Sequence, residues 1–257
     1  MDTVVLITVF STFLLAGMIK GVIGLGLPTV SLAVLTVALG LPQAMALLLV
    51  PSLLTNVWQA VVGGNTTTIL KRIWPFISMA TGTVWIGAIA LTTIDLSILS
   101  ALLGLLLITY AVVNLAGVRL SIPARHEIWA GTAFGAVNGI LTGMTGSFVV
   151  PGVMFLQAIG LPRDTLVQAM GILFTASTIA LAVSLGHNDL LSLRLGVMST
   201  VAVVPAIAGM VAGQKIRKRL SEAVFRKMFF ISLLGLGIYI TANTILMLAL
   251  PLQNLFR

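Results

Sequence analysis

In a chain of 257 residues of which 59% are hydrophobic and 8% charged, there are too few polar side chains to cover a water-soluble surface, where about a quarter of residues are ordinarily charged. The net charge of +8 raises nucleic acid as a partner, but the basic residues lie in short stretches beside apolar runs, where Lys and Arg orient membrane spans. That pattern argues against nucleic acid and for lipid as the surroundings. With no cysteine in the chain, disulfides, thiolate metal sites and a cysteine nucleophile are excluded.

The N-terminus, Met1-Asp2-Thr3, lacks the basic region of a cleavable signal, so the first apolar run is expected to stay as a helix. A bilayer-crossing helix needs roughly 20 apolar residues. Apolar runs and their breakers predict segments at 3–20, 25–40, 43–63, 74–93 and 97–117, then 128–143, 147–159, 163–185, 191–213 and 228–250. The first and sixth run into their followers through Gly21-Val22-Ile23-Gly24-Leu25-Gly26-Leu27-Pro28 and Gly143-Met144-Thr145-Gly146-Ser147, so a coarser reading fuses each pair.

Charge separates the two readings. Counted on ten segments, Lys71, Arg72, Arg119, Arg125, Arg163, Lys215, Arg217, Lys218, Arg219, Arg226 and Lys227 share one side, against Arg194 and Arg257 on the other, with Lys20 set aside. The fused reading leaves the two sides nearly even and orients nothing. The expectation is an all-α polytopic membrane protein in the cell inner membrane: eight full spans, two broken or re-entrant segments at 25–40 and 147–159, both termini extracytoplasmic, and a basic loop over 214–219 in the cytoplasm.

Gly40-Leu41-Pro42 recurs as Gly160-Leu161-Pro162, and the same offset pairs Gly26 with Gly146. A single membrane domain, 1–257, is therefore expected to consist of two inverted repeats of about five segments each, 1–120 and 121–257, a plan common among secondary transporters.

At these broken segments the sequence resembles the sulfite exporter TauE/SafE family. In that family each half carries a Gly-rich break, a short apolar helix, a Gly-Leu-Pro turn and another helix, matched here by Gly21 to Pro42 and Gly139 to Pro162. The second copy lacks the glycine triplet common in the family, and the first carries Leu25 and Leu27 among its glycines. The resemblance spans the chain and implies transport of sulfite, an organosulfonate or a related sulfur-containing anion.

Helix breaks inside a membrane survive only against protein or a water-filled cavity, so both breaks are expected to face an interior site. Half-helices beginning after Gly26 and Gly146 would aim free N–H groups at a small anion there. The run Gly21-x-x-Gly24-x-Gly26 lacks the strand and acidic residue of a dinucleotide fingerprint and is discarded as one. Candidate substrate-binding residues are Lys20, Gly24, Gly26, Thr29, Asn56, Gln59, Asn138, Thr145, Gly146, Ser147, Gln168 and Thr175. Lys20 alone brings a positive charge near a break, and snorkelling to the headgroups is its other reading. Asp2, Asp95, Glu127, Asp164, Asp189 and Glu222 all fall at segment ends, which disfavours a cation substrate, since cation and proton carriers usually hold carboxylates within the membrane. Gly131, Gly135, Gly139 and Gly143, with Gly17 and Gly21, predict close helix packing.

Export of an anion runs with an inside-negative potential, by about 2.3 kcal/mol per charge per 100 mV, and needs no coupling ion. The expected function is a secondary transporter exporting a small anion, with no metal or cofactor and with a homo-oligomer allowed. An anion channel and a non-transport scaffold subunit are the alternatives. An intramembrane enzyme is disfavoured, since His126 and His187 lie outside the spans and no nucleophile–base pair stands at span depth.

Overall fold

The computed structural model describes residues 3–118, 120–217 and 221–255. Arg119, Lys218, Arg219 and Arg257, which entered the charge count, lie outside these residues, as do Asp2 and the side chain of Glu222 from the acidic set. Every described element is helical, as lipid requires of a chain that must satisfy its backbone bonds within each segment.

Helix α1 spans Thr3–Ile23 and ends at Gly24 and Gly26, both at positive φ (79° and 112°). Gly26 caps α2 (Leu27–Leu39), whose first turn holds Pro28 at a position where its missing N–H would have had no partner. Gly40 (φ 91°) turns the chain into α3 (Leu41–Val61). Next come α4 (Thr66–Gly82) and α5 (Val84–Thr93), parted at Thr83, then α6 (Leu96–Leu115) and a 3-10 turn over Ala124–His126. Helix α7 (Glu127–Thr145) ends at Gly146 (φ 72°) and is followed by the short α8 (Gly152–Ala158). Helix α9 (Arg163–His187), α10 (Leu193–Val201) and α11 (Val203–Arg217), parted at Ala202, and α12 (Glu222–Leu255) complete the chain.

Among the described residues seven helical stretches, with α4 and α5 taken together and α10 with α11, are long and apolar enough to cross a membrane: 3–23, 41–61, 66–93, 96–115, 163–187, 193–217 and 223–246. Helix α7, with Glu127, Asn138 and its glycines, is not among them. Helices of 13 and 7 residues, rising 1.5 Å per residue, reach about 20 and 10 Å, so α2 and α8 are too short for a hydrocarbon core of about 30 Å.

Several predicted ends are corrected. Lys71 and Arg72 stand within α4, Lys215 and Arg217 in the last turn of α11, and Arg226 and Lys227 within α12, because helices continue past the apolar stretch that hydropathy detects. The second half-helix begins at Gly152, later than the expected start after Gly146.

Helix α1 packs along α11, α7 along α4 and α5, α6 along α12, and α3 along α9. The first two pairings are glycine seams. A Cβ on Gly17, Gly21, Gly209 or Gly213 would strike the main chain of Ala206, Met210, Leu14 or Met18, and one on Gly135, Gly143 or Gly87 that of Phe76, Val84 or Ile140. Small residues let main chains touch where lipid supplies no hydrophobic drive to associate.

Pro51 within α3 leaves the Leu47 carbonyl without its helical donor. The Ser199 hydroxyl of α10 donates to that carbonyl at 2.8 Å. Phe13, Phe76, Phe148, Phe155 and Phe174 fill the interior, whereas Trp74, Ile86, Trp129 and Leu193 are exposed. An outside this apolar suits lipid and not water.

Candidate functional site

A cavity of about 910 Å³ opens where α1, α3 and α11 end and α9 begins. Its mouth carries Gly63, Asn65, Asp164, Gln214 and Arg217, on the side where the basic residues collect. Four of the predicted site residues line it: Lys20, Gly24, Gln59 and Gln168. Thr55, Trp58 and Val62 join them. Thr55 lies on the polar stripe that Asn56 and Gln59 already mark in an apolar helix, and that stripe was the signal for it.

Lys20 forms the floor. It sits in the last turn of α1 and is 5% exposed. Its Nζ donates to Thr55 Oγ1 at 3.2 Å and to Asn56 Oδ1. An ammonium has three N–H donors, so one remains without a protein acceptor among the described residues. Lys20 takes part in no ion pair among the described residues, whereas Arg72 pairs with Glu127 at 2.6 Å. The Gly24 N–H, bonded to the Lys20 carbonyl at 2.8 Å, closes the last turn of α1 under the cavity. Lys20 thus does not snorkel to the headgroups.

Asn56 is fully buried, and its Nδ2 has no partner. Ser52 Oγ in α3 and Ser177 Oγ in α9 are likewise buried and unpaired. The register of these antiparallel helices is fixed by Gln59 Nε2 donating to the Val167 carbonyl at 2.6 Å and Gln168 Nε2 donating to the Ala60 carbonyl at 2.9 Å. That register brings Ser52 level with Ser177, about one turn of α3 beyond the cavity-lining Thr55. An unsatisfied buried polar group costs about 1–3 kcal/mol, so three in one zone call for a physical reason.

Gln59 lines the wall with its Nε2 committed to Val167, and Gln168 does so with both atoms of its amide committed. Besides Ala60, Gln168 Nε2 donates to Thr66 Oγ1 at 2.9 Å, and its Oε1 accepts from the Asn65 N–H at 3.2 Å.

The remaining candidates lie elsewhere. Gly26 packs against Ile19 and Phe229 at the start of α2, and Thr29 is buried in that helix, so the cavity does not reach the α2 N-terminus. Around the second break, Asn138 Oδ1 accepts from the Gly152 N–H at 2.9 Å, occupying the first N–H of α8. Thr145 Oγ1 donates to the Leu141 carbonyl at 2.7 Å and accepts from the Ser147 N–H at 3.2 Å. Gly146 abuts Met45 and Leu32, Ser147 is buried with its Oγ unpaired, and Phe148 packs on Phe174 with centroids 5.9 Å apart. Thr175 donates back to the Gly171 carbonyl of its own helix at 2.7 Å. The two breaks do not meet around one open space: the first borders the cavity, and the second is packed shut.

A helical bundle with an apolar outside and a water-accessible cavity ending on a buried ammonium is built as a polytopic membrane transporter. The family model of the sulfite exporter TauE/SafE matches residues 9–240, and the chain belongs to that family. Its members are transporters rather than enzymes. Comparison with curated proteins and with solved structures gives no match.

Proposed function

We propose that this protein is a secondary carrier that exports a small sulfur-containing anion, sulfite or an organosulfonate, across the cell inner membrane. The observation that carries the reading is the Lys20 ammonium at the floor of a cavity opening on the basic face, which the positive-inside rule assigns to the cytoplasm. An anion enters from the cytoplasm, accepts from the spare Lys20 N–H, and continues past the buried and unpaired Asn56 Nδ2, Ser52 and Ser177. The inside-negative potential drives it outward.

Two inverted repeats with eight crossings suit this reading. Exchanging the first five segments for the last five turns the α1–α11 pairing into that of α7 with α4 and α5, and returns α6–α12 and α3–α9 to themselves. The interruptions at Thr83 and Ala202 and the positive φ of Gly40 and Gly160 follow the same exchange. A carrier is favoured over a channel because Phe148 and Phe174 are buried and pack against each other with centroids 5.9 Å apart, which suits an occluded interior better than an open pore.

The test is flux of labelled sulfite in proteoliposomes. The wild type should saturate with substrate, and Lys20→Gln should lower the flux about thirtyfold or more, the effect of removing one partner of a buried charge contact. Unchanged flux in that variant would dismiss the site, and flux that never saturates would favour a channel.

A further inference from the structure

The cavity floor has a charge count, and that count restricts the substrate beyond its being an anion. Lys20 is the cation there, and the side chains it bonds, Thr55 Oγ1 and Asn56 Oδ1, are both neutral. Lys20 is 5% exposed and Asn56 behind it is fully buried, so a charge left over after binding has little water to screen it. Asp164 and Arg217 stand at the mouth, one of each sign.

We infer that the site selects oxyanion groups carrying a single negative charge, hydrogen sulfite and sulfonates, and rejects compact dianions such as sulfate. A singly charged group brings the floor to neutrality, whereas a doubly charged one buries an excess of one negative charge with no second cation beside Lys20 at the floor among the described residues. The donors fit as well. The spare Lys20 N–H at the cavity floor, with the unpaired Nδ2 of Asn56 buried behind it, offers few donors, enough for a sulfonate, whose three oxygens share one charge, and short of what a sulfate dianion loses on leaving water. Discrimination of this kind is built from unpaired charge on the disfavoured ligand and not from extra contacts to the favoured one.

The inference rests on the transport reading for its site, but its test reads binding separately from flux. Methanesulfonate and sulfate remain a monoanion and a dianion throughout the neutral range, so the pH of the assay does not blur the comparison. In detergent, methanesulfonate should raise the thermal stability of the wild type at concentrations about tenfold or more below those at which sulfate acts, the ratio that 1.4 kcal/mol sets. In liposomes it should compete with labelled sulfite with the same advantage. Asn56→Asp, nearly isosteric, supplies the missing negative charge to Lys20 and should abolish stabilisation by methanesulfonate while the variant stays folded and monodisperse. Sulfate acting as well as methanesulfonate, neither anion stabilising the protein, or Asn56→Asp responding like the wild type would each overturn the inference. Preferential binding of methanesulfonate without any flux would uphold the charge selection and remove the carrier reading.

Discussion

Gln168 spends its whole side chain on the backbone of another segment, with bonds to the Ala60 carbonyl, Thr66 Oγ1 and the Asn65 N–H. It holds the Gly63–Gly64 turn at the cavity mouth. Gln168→Ala should therefore destabilise the protein by about 1–3 kcal/mol and speed proteolysis at Gly63–Gly64, with little change in substrate affinity for the molecules that remain folded. A large loss of affinity with unaltered stability would instead make it a ligand. A polar residue in an apolar segment is easily seen in the sequence, and Lys20, Gln59 and Gln168 were legible as cavity residues for that reason. Its task is not legible, because capping a helix and meeting a substrate call for the same groups. Asn138 is the instructive case: beside a glycine break it reads as a binding residue, and in the fold its Oδ1 caps α8 by accepting from Gly152 while its Nδ2 is buried without a partner among the described residues.

The elements follow the sequence more closely than their ends do. Each break falls at the glycines that mark it, since Gly26, Gly40, Gly146 and Gly160 adopt positive φ, a region open to glycine and strained for other residues. Charged ends were misplaced as loops because hydropathy locates the edge of the hydrocarbon and not the last hydrogen-bonded turn. The seams were legible from the four-residue glycine spacing, and their energetics are testable. Gly213→Ala and Gly143→Ala force a methyl group into main-chain atoms of the facing helix and should each cost about 1–3 kcal/mol. Gly196→Ala, in α10 with nothing within 4 Å of the added carbon, should be neutral or stabilising by up to about 1 kcal/mol. Unfolding in mixed micelles compares the three; equal effects would show that helix propensity, not the seam, governs them.

For the whole molecule, orientation is the property on which the direction of transport depends. The chain contains no cysteine, so an introduced thiol is a lone reporter. Val62→Cys at the cavity wall and Leu193→Cys at the start of α10 lie at opposite ends of the spans, and both side chains are exposed. An impermeant maleimide should label Val62→Cys only from the cytoplasm and Leu193→Cys only from outside; the reverse pattern would turn the carrier around. The basic side was readable from charge alone, but the packed second break was not, since nothing in Gly143-Met144-Thr145-Gly146-Ser147 distinguishes glycines that line water from glycines that meet Met45 and Leu32.

The seams also bear on how such a chain ages. Where two helices touch through side chains, a loss on one can be repaired by a gain on the other, and sequence drifts while shape is kept. Between α1 and α11, or α7 and α5, there is main chain on the far side, and no substitution opposite can make room. Drift is thereby diverted to the lipid-facing residues, where one apolar side chain serves as well as another, and descendants of this fold will keep the spacing of their glycines after most other letters have changed.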